Sequence, residues 1–318
     1  MNKSILVAGL IALGCAGPSQ AADWPARPVS IILGFAPGGS ADIAARIVSE
    51  KLTKSFGTSF VVENRPGANG DIAATFVSHA APDGYTLLFA PDAIVTSPAI
   101  RKTQYDPIKD FVPIAMIAQG PLVLVENPKT KAESVAQLIA MAKANPAKFS
   151  FGSSGVGNNQ HFAGEKFNAM TGLSLTHVPY KGGGQAIADL LADQIPIAFL
   201  GTGPVMPHVK SGKLKVLAVT TAQRFQGLPD VPTLDESGLK GFDMSQWLGI
   251  VGPLGTPPDV IRTLNSRINT ILAEPDVKEK LLASGMNALP MTPAQLGEQI
   301  KRDAASYRKL AQDQHMSE

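Results

Sequence analysis

The chain has 318 residues, 28 lysines and arginines against 26 aspartates and glutamates, 44% hydrophobic residues and 17% charged ones. That length suits two globular lobes, and so apolar a chain is not intrinsically disordered. A net charge of +2 without a basic run gives no field for nucleic acid, and a single cysteine excludes a disulfide scaffold and a cysteine-based zinc centre.

Lys3 precedes an apolar run from Ile5 to Ala16, and Ser19-Gln20-Ala21 follows as a small-x-small cleavage site. These are the three regions of a secretory signal peptide over residues 1–21. The run is too short to span a hydrocarbon core of about 30 Å. A second reading makes Cys15 an acylated lipoprotein residue after Ala12-Leu13-Gly14. Both readings export the protein, and an untethered periplasmic protein is the one expected here.

The mature chain alternates strand and helix patterns, the sign of an α/β protein. Val29–Leu33 reads as a buried strand, and Ser40 as the N-cap of a helix with Ile43, Ile47, Val48 and Leu52 on one face. A strand at Phe60–Glu63, a helix at Asp71–His79 and a strand at Tyr85–Phe89 follow, then a loop over Ala90–Pro98. Val112–Val125 is β-rich but reads as interrupted at Gly120-Pro121. A helix is expected over Ser134–Lys143, and strands over Phe149–Phe151, Ile195–Leu200, Leu214–Val219 and Gln246–Val251. Helices near Pro258–Glu274, Pro275–Ser284 and Pro293–Asp313 close the chain.

Four strands run into glycine-rich turns that open helices. They are Gly34-Phe35-Ala36-Pro37-Gly38-Gly39-Ser40, Gly152-Ser153-Ser154-Gly155-Val156-Gly157, Tyr180-Lys181-Gly182-Gly183-Gly184 and Gly201-Thr202-Gly203-Pro204. Backbone N–H groups that converge at a helix N-terminus make a carboxylate or phosphate site. Tight packing at a strand–helix junction is the better explanation of any one such turn, but four together point to a cleft between lobes. Gly34 and Gly39 have P-loop spacing, yet Ser40-Ala41 replaces the Lys-Ser/Thr pair, so nucleotide binding is not expected. Gly152, Gly155 and Gly157 do not fit a dinucleotide fingerprint, and Val156 breaks a hydrolase elbow.

No cofactor and no metal is expected. His161 and Glu165 are spaced for one helix face, but a lone pair without a second cluster is an ordinary surface feature. Ser154 with His161 sketches a nucleophile and base that lack a placed acid. The absence of a catalytic constellation favours binding over turnover.

Seven segments in register carry a resemblance. They are Trp24-Pro25-Ala26-Arg27-Pro28 with Phe35–Asp42, Val62–Ala68, Ala81–Leu87, Tyr105–Phe111, His177–Gly182, Leu228–Thr233 and Gly255-Thr256-Pro257. Together they resemble the Bug-type solute receptors of tripartite tricarboxylate transporters, from residue 24 to the end. The resemblance implies a two-lobed, type II-like periplasmic-binding-protein fold, each lobe a mixed β-sheet flanked by helices. It implies a discontinuous first lobe of residues 22–123 plus 246–318, a second lobe of 124–245, and strand crossings near Leu122–Glu126 and Ser245–Ile250. The implied ligand is a small organic carboxylate, a di- or tricarboxylate or an aromatic acid. The implied partner is a membrane permease, and the receptor is expected to be a monomer.

The resemblance places the ligand on Phe35, Ala36, Pro37, Gly38, Gly39 and Ser40, with Asp42 behind them. Ser153, Ser154, Gly155, Gly157, His161, Tyr180, Lys181, Gly182 and Thr202 face them from the second lobe. Asp92 and Ala93 are further ligand-binding candidates from the loop after the third strand, which departs at Asp92 from the small or hydroxyl residues usual in the family. An Asp92 facing the cleft repels a second carboxylate or pairs with an ammonium or hydroxyl; an Asp92 facing solvent has no such role. Two alternatives stay open: a secreted hydrolase using Ser154 and His161, and a ligand-loaded co-sensor for a membrane kinase.

Overall fold

The computed structural model describes residues 24–317, so the 1–21 segment and Cys15 lie outside the described residues. The first half of the chain holds β1 (Val29–Leu33), α1 (Ser40–Phe56), β2 (Phe60–Asn64), α2 (Asp71–Ser78), β3 (Thr86–Pro91), α3 (Ala93–Ile100), β4 (Phe111–Glu126) and α4 (Val135–Ala144). The middle holds β5 (Ser150–Ser153), α5 (Asn159–Thr171), β6 (Thr176–Pro179), α6 (Gly183–Leu191), β7 (Ile197–Gly201), α7 (Thr202–Lys210) and β8 (Lys215–Val219). The rest is β9 (Ser245–Pro253), α8 (Pro258–Ala273), α9 (Pro275–Ala283), β10 (Asn287–Ala288) and α10 (Pro293–Asp313).

Strand order is β2-β1-β3-β9-β4-β7-β5-β6, with β8 and β10 also paired to β4. Strands β1, β2 and β3 are parallel and joined by helices, so β1 is apolar almost throughout and buried on both faces. Strand β9 joins them antiparallel, although it lies far away in the sequence. Two lobes result, each a mixed sheet flanked by helices, and β4 belongs to both. Its Phe111–Pro121 half pairs with β9, while Leu122–Glu126 pairs with β7 and β8.

The expected interruption at Gly120-Pro121 does not occur, and β4 runs unbroken for 16 residues. Pro121 sits where the strand changes partners, so its missing N–H removes no needed ladder bond. A Cβ on Gly120 would strike the Gly285 carbonyl, one on Gly285 the Gly203 backbone, and one on Gly203 the Ser284 carbonyl. Three main chains therefore meet with no side chain between them.

The loop expected over Ala90–Pro98 is instead the end of β3 and helix α3, with Pro98 inside it. Residues Ala93 to Ser97 are all buried and α3 packs on α10, so no amphipathic period is written into the segment. Helix α1 starts one residue earlier than the Ser40 cap implied: Gly39 is the N-cap and Ser40 the first helical residue. One apolar cluster joins the lobes, where Phe162 of α5 meets Tyr307 of α10 at 4.8 Å between ring centroids.

Candidate ligand-binding site

A cavity of about 850 Å³ lies where the lobes face each other. Three of the four glycine-rich turns reach it. The first lobe contributes Phe35, Ala36, Pro37, Gly39 and Ser40, and the second contributes Ser154, Gly155, Tyr180, Lys181 and Gly182. Asp92 and Ala93 follow from the β3–α3 junction, and Gln246, Trp247 and Leu248 from β9. Helices α1 and α6 both begin at this cavity without a side-chain cap, whereas Asn158 caps α5 through the N–H groups of Gln160 and His161. The leading N–H groups of α1 and α6 are thus open to an anion.

Gly38, Asp42, Ser153, Gly157, His161 and Thr202 do not line the cavity. Gly38 adopts φ +90, and its N–H donates to Asp42 Oδ2 at 3.0 Å. Arg46 Nε donates to the same oxygen at 2.9 Å, and Asn64 Nδ2 bridges Asp42 Oδ1 and the Phe35 carbonyl, both at 2.9 Å. Burial alone would raise this carboxyl, but Arg46, Gly38 and Asn64 outweigh it and hold Asp42 at about 2. The ionised Asp42 clamps the first turn from behind. Thr202 is buried, and its hydroxyl donates to the Pro121 carbonyl at 2.9 Å, where β4 changes lobes. The fourth turn accordingly faces the strand crossing.

The second turn rests on a histidine pair. The Ser153 hydroxyl lies between the Gly155 carbonyl at 2.9 Å and His177 Nε2 at 2.7 Å. His161 Nδ1 accepts the Gly157 N–H at 3.2 Å, so its ring proton sits on Nε2, 3.6 Å from Glu165. Burial, then the neighbouring His161, pushes His177 down to about 3, so it is neutral at physiological pH. Ser154 Oγ accepts from Asn158 Nδ2 at 3.0 Å, and no hydrogen bond joins it to His161. The nucleophile–base pairing sketched for these two residues is not assembled. Among the described residues no group of three or more His, Cys, Asp or Glu is placed to hold a metal ion.

Asp92 faces the cavity and is only 6% exposed. Its Oδ2 accepts from Asn159 Nδ2 at 2.6 Å, a bond that crosses from one lobe to the other. Burial pushes its carboxyl up to about 8 against the Asn159 hydrogen bond, and the charge of Asp303 adds to the rise. Trp247 links the two acids: its carbonyl accepts the Asp92 N–H at 3.1 Å, and its Nε1 donates to Asp303 at 2.8 Å. Arg101 also lines the cavity, bonded to Asp71 at 2.9 Å and to the Ala68 carbonyl at 3.1 Å.

Sequence reasoning missed Asn69, Arg101, Asn158, Asn159, Gln160, Gln246 and Met286 as lining residues. The amide run Asn158-Asn159-Gln160, directly after a glycine turn, was a usable signal. Asn69 and Arg101 carried none, because distant packing brings them in.

The family described as "Tripartite tricarboxylate transporter family receptor" matches residues 44–316. Protein BugT of Bordetella pertussis is 37% identical over 97% of this chain and 98% of its own length. An R. palustris protein solved with adipate is 32% identical, with a TM-score of 0.85 over 93% of this chain and 99% of that one. MatC from Rhodopseudomonas palustris with bound malate is 27% identical, with a TM-score of 0.79 over 90% and 99%.

Proposed function

The chain belongs to the tripartite tricarboxylate transporter receptor family, and we propose that it is a periplasmic solute receptor that closes on a small organic carboxylate and delivers it to a membrane permease. The observation that carries this reading is the convergence of two uncapped helix N-termini, those of α1 and α6, on one cavity between lobes. A carboxylate there takes backbone N–H groups and the positive ends of both dipoles. Adipate and malate in the related solved proteins belong to that ligand class.

On this reading the first lobe is residues 22–123 plus 246–318 and the second is 124–245. Strands β4 and β9 form the hinge, and the receptor works as a monomer. Export by the 1–21 signal belongs to the same proposal. Among the described residues no helix is long and apolar enough to cross a membrane.

A ligand that binds only the folded, closed form raises stability by RT ln(1 + [L]/Kd), about 2.7 kcal/mol at 100 Kd. Thermal melts against a panel of di-, tri-, amino- and aromatic acids should therefore reveal at least one upward shift. A panel that leaves the melting temperature unmoved throughout overturns the reading.

A further inference from the structure

Building on the carboxylate-receptor reading, we propose that Asp92 makes this site select a carboxylate whose other end carries an N–H donor, an ammonium or a carboxamide, and reject a dicarboxylate. Among the described residues Asp92 is the only acidic side chain that lines the cavity, and it is buried there. Asn159 donates one Nδ2 hydrogen to Asp92 at 2.6 Å, and its amide oxygen is an acceptor beside the second N–H. Asp92 and the Asn159 oxygen thus offer acceptors where the lobes meet, while the uncapped starts of α1 and α6 offer N–H groups. A ligand matched to both has an acceptor at one end and a donor at the other.

Electrostatics sharpens the choice. Behind Asp92, Trp247 donates to Asp303 at 2.8 Å, and the buried Tyr307 of α10 feels both carboxyls. The charge of Asp303 already disfavours a second negative group beside it. A ligand ammonium replaces the cost of burying an ionised Asp92 with an ion pair. A carboxamide forms a two-point pair with the protonated carboxyl, its N–H to one oxygen and the Asp92 O–H to the amide oxygen. A second carboxylate can only share the Asp92 proton, and it adds a charge beside an acid that already has the Asp303 carboxyl behind it.

The test is calorimetric titration with probes of equal chain length: glutarate, its monoamide glutaramate, and 4-aminobutyrate, with terephthalate, 4-carbamoylbenzoate and 4-(aminomethyl)benzoate as an aromatic set. Wild type is expected to bind a nitrogen-bearing probe at least about tenfold more tightly than the matching diacid. Asp92→Asn and Asp92→Ser are expected to bring that ratio to within about threefold. Melting curves of both variants accompany the titrations, and asparagine is itself a favourable residue at a helix N-cap, where Asp92 stands. Release of a proton on binding at neutral pH, read from the buffer dependence of the enthalpy, identifies the ammonium form; binding without proton exchange identifies the amide. A wild-type preference for the diacid, or a ratio that survives in both variants, overturns the proposal and leaves the carboxylate reading standing. Failure of every acid in the probe sets and the wider panel overturns that reading itself.

Discussion

His161 and His177 lie ring on ring, with centroids 3.8 Å apart and planes 13° from parallel, and Phe151 stacks on His177 at 4.9 Å. Two imidazoles so close cannot both carry charge cheaply. Because the folded state lowers the His177 pKa below its ordinary 6.5, the associated stability is complete above that pH and is lost as pH falls towards about 3. His177→Gln is expected to flatten this acid limb in urea melts run from neutral to acid pH. An unchanged limb would show that the stack does not control it.

Asp92 pulls the other way. Its folded pKa of about 8 lies above the ordinary 3.8, so the folded state binds the extra proton, and stability falls as pH rises between those values. Glu126, raised to about 7 by burial against the pull of Lys215, adds a slope of the same sign. Asp92→Asn is expected to gain stability relative to wild type on going from pH 5 to pH 8, measured by urea unfolding at both. A constant difference at the two values refutes this.

Trp247 lines the cavity and is almost wholly buried, whereas Trp24 packs with Phe56, Phe60 and Tyr85 away from it. Ligand binding is expected to change intrinsic fluorescence in wild type and in Trp24→Phe, and to leave Trp247→Phe silent. A signal that follows Trp24 instead places the ligand elsewhere.

Asp42→Ala removes the acceptor shared by Gly38 and Arg46 and leaves Asn64 half satisfied. The expected cost is about 1–3 kcal/mol of stability. Ligand affinity should fall as well, by about tenfold or more, because the first turn loses its support. Calorimetry alongside thermal melts separates the two effects. Normal affinity in a destabilised variant would remove Asp42 from the site's support.

The α/β alternation was readable because β1, β3 and α8 follow plain apolar periods. Helix α3 was not, since full burial against α10 erases the polar face that marks a helix. The glycine turns announced a site because glycine and a helix start are local features. The Asp92–Asn159 bond spans 67 positions, and the Arg101–Asp71 pair closes across 30, so neither leaves a local trace. Thr202 is the reverse case: a turn of the right composition that the fold turns towards Pro121.

The meeting of Gly120, Gly203 and Gly285 has a mechanical consequence. On the proposed hinge, main chain would turn directly on main chain at this bearing, with Thr202 and Met286 beside it. A methyl group added at Gly203 should act as a wedge that holds the lobes apart. Gly203→Ala is therefore expected to enlarge the radius of gyration seen by small-angle scattering in saturating ligand, although position 203 lies outside the cavity wall. Identical scattering from wild type and variant would mean that the bearing absorbs the methyl elsewhere. In a joint of this kind, the smallest side chains set the range of travel.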